Sequence, residues 1–274
     1  MNKKIFSCFL LSLYSAFANA AVITTQYTRA LIYERNCPNA TDEASCIAED
    51  AGSGILKTSG VGNDLMVSDG NGTWTSVTLD PDIVSLPQVK SAITTTENQR
   101  TTTTSLGVQG YLWSGDTQEL TITATFDYTA SVGIWDSTLD SGAVAVLSAY
   151  SGSDFLLVTD LPDFSNNTEI AYTEYLYADD DQLMSDVLRE ITMSISFTVD
   201  NGDEFLIYGL YQGVAMNGAY FDSSNSFATS VSAGELTQEE LLNYLQPITV
   251  PEPGIIGLFT IGLAGLGWSR RDKV

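Results

Sequence analysis

Histidine is absent from this 274-residue sequence. Its absence removes the Ser-His-Asp and Cys-His nucleophile arrangements and any zinc site built on imidazole. Cations are almost as scarce: between residues 21 and 250, six lysines and arginines stand against 32 acids, a net charge of −26. Nucleic acid and anionic membrane surfaces repel such a chain, so neither is expected as a partner. No Gly-x-Ser-x-Gly elbow or Gly-rich phosphate loop occurs, and neither Lys57 nor Lys90 stands in a Ser-x-x-Lys context. Long apolar runs are missing too, since the uncharged stretch at Gly254–Trp268 covers only 15 residues. As a helix it spans roughly 22 Å at 1.5 Å per residue, short of the about 30 Å of a hydrocarbon core.

Cysteine is nearly absent, and the three that occur are informative by place. Residues 1–20 read as a secretory signal: Lys3 and Lys4, the apolar Ile5–Phe17, then the small-residue cleavage site Ala18-Asn19-Ala20. Export through the Sec machinery is therefore expected. Cys8 leaves with the signal, and Cys37 and Cys46 remain in a turn-rich polar loop of an exported chain, where a disulfide is expected. Closing so short a loop stabilises by about 2–3 kcal/mol in the chain-entropy picture.

The body, residues 21–246, reads as one all-β domain, an antiparallel β-sandwich of the jelly-roll kind. Leu120, Ile122, Ala124, Phe126 and Tyr128 alternate with polar residues, as do Ile191, Met193, Ile195, Phe197 and Val199. Both are strands with one face buried and one wet. Asn201-Gly202 between the second of these and the run from Glu204 to Tyr211 is a hairpin signal. Further strand candidates are 108–113, 132–135, 143–150, 155–159, 170–177 and 227–231. The threonine run at 94–104 reads as an exposed β-edge or a linker, with a domain boundary near residue 100 as the alternative. Residues 179–191 fit a capped helix or a bulged strand. Thr237-x-x-Glu240 ahead of Leu241, Leu242 and Leu245 is a capping box, so a short helix is expected there.

Acids and aromatics supply the candidate ligand contacts. Asp69–Thr73 spaces oxygens in the manner of an EF-hand, but Trp74 stands where that loop needs glycine. Asp179-Asp180-Asp181 and Asp200-Asn201-Gly202-Asp203 are either solvated turn acids or calcium loops; no other cofactor is expected. Trp74, with Ser76 and Thr78, lies opposite Val77 and Leu79 and is the candidate glycan contact, while Tyr111 and Trp113 share a face and suit a core. Paired carboxylates would suffice for a glycosidase, but among 32 acids pairs arise by chance, so no catalytic residue is assigned and no enzyme is expected.

The C-terminal segment 247–274 has its own order: Pro251-Glu252-Pro253, the apolar Ile255–Trp268, then Arg270, Arg271 and Lys273. The prolines make a stiff extended spacer, and basic residues after an apolar run act as membrane stop charges. This succession resembles the PEP-CTERM sorting signal of Gram-negative bacteria, although Gly254 stands where that family more usually has Ser or Ala. The resemblance implies recognition of Pro251, Glu252 and Pro253 by an exosortase, transient membrane anchorage through Ile255–Trp268, and retention by Arg270 and Arg271. It also implies a non-enzymatic surface or matrix protein associated with exopolysaccharide and biofilm. A discrete carbohydrate-binding module and a carboxylate-based glycan hydrolase are the alternatives.

Overall fold

The computed structural model describes residues 22–39, 45–46, 53–60, 65–79, 87–131, 141–158, 161–176 and 188–248. The signal peptide with Ala18 and Ala20, the strand expected at 132–135, Asp179-Asp180-Asp181, the PEP residues, the C-terminal apolar helix and Arg270 and Arg271 lie outside them.

Two antiparallel sheets face each other. One has the order β12 (Glu169–Leu176), β9 (Ser141–Ser151), β14 (Glu204–Met216), β7 (Gln99–Trp113), β2 (Gln26–Asn36) and β3 (Ser53–Gly60), with β16 (Leu245–Pro247) also on β7. The other runs β13 (Arg189–Val199), β8 (Gln118–Ala130), β15 (Tyr220–Ala233), β6 (Gln88–Thr94), β5 (Trp74–Thr78) and β4 (Leu65–Ser68). A three-stranded sheet, β1 (Val22–Thr24), β10 (Phe155–Val158) and β11 (Leu161–Asp163), is the third sheet among the described residues.

Alternation explains the main core. Leu120, Ile122, Ala124, Phe126 and Tyr128 of β8 are all buried, and their strand pairs in register with β13, Ile195 opposite Ile122 and Phe197 opposite Leu120. The two strands with the clearest pattern in the sequence are thus neighbours. Phe126 is the hub, with Tyr175, Tyr211 and Phe227 rings 5.4, 5.5 and 6.0 Å away. Gly107 lets Pro87 enter between the sheets, because a Cβ at 107 would lie 2.5 Å from the Pro87 Cβ. A second cluster, Tyr27, Leu106, Val108, Phe155 and Leu206, lies on the outer face of the larger sheet. Phe164 joins it, stacked on Tyr150 at 4.3 Å.

Two expectations change. The threonine run is neither linker nor exposed edge, because Thr101–Thr104 fall in β7, between β14 and β2. Two hydroxyls of this stretch find partners across the sandwich, Thr103 with Ser91 of β6 and the neighbouring Ser105 with Thr75 of β5, while Thr102 and Thr104 accept from Arg100 and Gln212 and the Thr101 hydroxyl is buried without a partner. Asn201-Gly202 makes a turn but not a hairpin. Gly202 has φ +91°, and Asp203 N donates to Asp200 O at 3.0 Å, yet β13 and β14 belong to opposite sheets. The turn instead bonds to the end of β7, through Gly202 N to Trp113 O and Trp113 N to Asp203 O, at 2.8 and 2.9 Å. Local turn chemistry fixes the reversal of direction, whereas side-chain burial decides which sheet receives the next strand.

The helix α1 (Gln238–Tyr244) starts where its capping box predicts: Glu240 N donates to Thr237 Oγ1, and the Glu240 carboxylate accepts from Thr237 N. The Thr237 N–H first and then the Thr237 hydroxyl, both donating to that carboxylate, hold the Glu240 carboxyl below the usual range. Leu241 and Leu245 bury into the core and seat β16 on β7.

Candidate functional site

The last described residue, Ile248, is held at one pole of the sandwich. Its N–H donates to Gly110 O at 2.8 Å, and its carbonyl accepts from Thr25 Oγ1 at 2.9 Å and Gln109 Nε2 at 3.3 Å. Gly110 N in turn donates to Thr25 O at 2.7 Å. Three segments far apart in sequence therefore meet on the backbone of Gly110. Only glycine fits, since a Cβ there would lie 2.7 Å from Ser153 O and 3.2 Å from Thr25 O. Just before this junction, Ser114 N and Oγ both donate to Tyr244 O, and the Tyr244 ring lies 5.8 Å from that of Trp113. The described chain thus ends at a fixed point.

Turns crowd the same pole. Ser153 Oγ donates to Glu204 Oε2 at 2.6 Å, and Gly152 N donates to Glu204 O. In the 200–203 turn, Asp203 Oδ2 accepts from Asp200 N at 2.8 Å, and Asp200 Oδ1 accepts from Thr117 Oγ1. These carboxylates, considered as a cation loop in the sequence, serve the turn. Among the described residues no group of three or more His, Cys, Asp or Glu side chains is arranged to hold a metal.

Trp74 lies on β5 between Ser68 of β4 and Ala92 of β6, half-buried along with Ser76 and Thr78, while Thr75 and Val77 point inward. Its ring is thus on the outer side of the smaller sheet, as the alternation requires, and flanked on both sides. Tyr111 and Trp113 are core residues: Tyr111 stacks on Phe205 at 5.8 Å, and the Trp113 indole N–H donates to Asp116 O at 2.8 Å. Burial pushes the Tyr111 phenol well up.

Cys37 and Cys46 form the disulfide, fully buried, with Cα atoms 5.0 Å apart. It closes the connection that leaves β2, and Cys37 N donates to Asn98 O at 2.8 Å, tying that connection to the opposite pole from Ile248.

One pair of acids escaped the sequence reading. Glu34 of β2 lies beside Asp69 of the β4–β5 turn, whose Oδ1 already accepts from Asn71 N at 2.7 Å and Thr73 N at 3.0 Å. Burial first, then the charge of Asp69 and a hydrogen bond with it, raise the Glu34 carboxyl above its ordinary 4.5. No local signal points to it, because Glu34 and Asp69 meet only when the two sheets pack.

Residues 249–271 match the PEP-CTERM protein-sorting motif. No curated protein matches the chain significantly. Among solved structures, the Clostridium thermocellum xylanase 10B CBM22-1–GH10 modules complexed with xylohexaose superpose with a TM-score of 0.17 at 7% identity, over 60% of this chain and 26% of that one. Infectious bursal disease virus Gx strain gives 0.13 at 12% identity over 90% of this chain and 74% of that one. The VP2 subviral particle of that virus gives 0.15 at 10% identity, over 90% and 73%. The chain spans about a quarter of the xylanase chain that it matches. Among the described residues no helix is long and apolar enough to cross a membrane.

Proposed function

Because this chain carries a PEP-CTERM sorting domain, which implies export and processing by exosortase, we propose that it is a non-catalytic surface or matrix protein of a Gram-negative bacterium, associated with exopolysaccharide. The observation that carries the reading is the sorting motif at residues 249–271. The β-rich body behind it fits the role: an acidic domain with a buried disulfide suits an oxidising, ionic exterior. Its sheet blocks β12-β9-β14-β7 and β13-β8-β15-β6 support the jelly-roll description, an architecture shared by many binding domains. Anchorage is transient, through Ile255–Trp268 with Arg270 and Arg271 as stop charges.

The test is the intact mass and cell fraction of the native protein with and without the host's exosortase. A chain ending near Pro251, found in the surface or matrix fraction only when the enzyme is present, is the expected result. A full-length tail retained in the inner membrane would overturn the reading. Trp74 favours a second reading as a discrete carbohydrate-binding module, because its half-exposed ring lies on a sheet face beside Ser76 and Thr78. Tryptophan fluorescence that shifts with one purified polysaccharide and not with others would favour the module.

A further inference from the structure

Resting on that processing reading, we infer that the pole where Thr25, Gly110 and Ile248 meet faces the membrane and docks on the outer side of the membrane-embedded exosortase while the tail is cut. Reach carries the argument. Ile248 is bonded to Thr25, Gln109 and Gly110, and in the sequence only Thr249 and Val250 stand between it and Pro251. At about 3.3–3.6 Å per extended residue, Pro251 lies within roughly 10 Å of Ile248, and the apolar run beginning at Ile255 within roughly 25 Å.

The length of the body fixes its orientation. Strand β7 runs from Gln99 to Trp113, about 50 Å at 3.3 Å per residue, with Gly110 near one end and Asn98 just beyond the other. A tether half as long as that strand, rooted at the Gly110 end, brings this pole to the enzyme and holds the Asn98 pole away. The first described strand lies at the same place. β1 begins at Val22, two residues after the expected signal cleavage at Ala20, and Thr25 is bonded to both Gly110 and Ile248.

The chemistry of this pole selects the partner surface. Asp154, Asp200, Asp203 and Glu204 are exposed in the turns that surround the junction. A face of that sign fits an enzyme surface presenting lysine and arginine outside the membrane.

The experiment uses the chain from Ala21 onward, which lacks the Cys8 thiol, reconstituted in liposomes with exosortase, with tail removal followed by intact mass. Two single-cysteine additions, Asp154→Cys at the junction pole and Glu97→Cys at the far pole, are each capped with a bulky polyethylene glycol maleimide, and unreacted reagent is removed beforehand. An unchanged Tm in both capped variants shows that the body stays folded. The cap at 154 is expected to slow tail removal at least about tenfold through lost effective concentration, while the cap at 97 leaves it unchanged. Inserting ten Gly/Ser residues after Ile248, which adds about 17 Å of root-mean-square reach, is expected to restore the rate of the chain capped at 154. Equal effects of the two caps, or no rescue by the insertion, would overturn the docking pole. Failure of the uncapped wild type to be cut would overturn the processing reading beneath it.

Discussion

Replacing Gly110 with alanine tests whether the junction holds the C-terminal segment on the body. The new Cβ would lie 2.7 Å from Ser153 O, a backbone atom fixed because Gly152 N donates to Glu204 O and Phe155 pairs with β1. Relief to an ordinary contact moves one backbone past the other by over half an ångström. The bonds at risk are Gly110 N to Thr25 O and Ile248 N to Gly110 O, 2.7 and 2.8 Å in length. Overpacking costs about 1–3 kcal/mol, and each lost bond about 0.5–1.5 kcal/mol. Removing a glycine from a strand returns about 0.5–1 kcal/mol. The net is a loss of about 2–3 kcal/mol, a fall of roughly 5–10 °C in Tm for a domain of this size. Scanning calorimetry of the mature protein measures it, and hydrogen exchange should show residues 245–248 losing protection first. Gly202→Ala is the control: its φ of +91° carries strain, but nothing lies within 4 Å of the added Cβ, so its effect should be smaller and should leave 245–248 protected. A Tm within a degree of wild type for Gly110→Ala would refute the steric reasoning.

Two further outcomes are expected. Glu34 takes up its proton more readily folded than unfolded, so the folded state binds more protons just above pH 4.5 and stability falls as pH rises through the folded value. Glu34→Gln should therefore raise Tm at pH 7 and flatten its dependence on pH in that window; thermal melts at pH 4 and 7 that show no such change would remove Asp69 as a strained neighbour. Serine at both Cys37 and Cys46 should cost roughly 2.5–3 kcal/mol by chain entropy for a bridge spanning nine residues. Urea titration checks this, with a midpoint like that of wild type contradicting it.

What the sequence revealed follows from how local each determinant is. The alternations of 120–128 and 191–199 mark strands with one wet face, and the pairing of those strands keeps the period intact. The capping box needs only four residues and was equally plain. β2 was hidden because its buried Thr28, Ala30 and Ile32 alternate with half-buried Leu31 and Tyr33, so apolar residues fall on both faces and no period of two shows in the sequence. The threonine run misled because residues that look solvated in sequence are buried in a central strand, where Thr103 pairs with Ser91 of the other sheet. The pole could not be read at all, since Thr25 and Ile248 are 223 residues apart and neither type announces a contact. The sorting motif, by contrast, is linear and was legible in full.

The hydroxyl pairs between the sheets, Ser91 with Thr103 and Thr75 with Ser105, bear on how this protein behaves under load. Two purely apolar sheet faces can slide past each other with little change in buried area. Here a slip of one residue pair would leave the buried hydroxyls of Ser91, Thr103 and Ser105 without partners, at about 1–3 kcal/mol each, while Thr75 keeps its bond to Lys90 O. The hydroxyls act as detents that index one sheet against the other. A domain pulled from the pole that carries its tail, with its far end caught in a surrounding gel, would resist shear in discrete steps rather than creep.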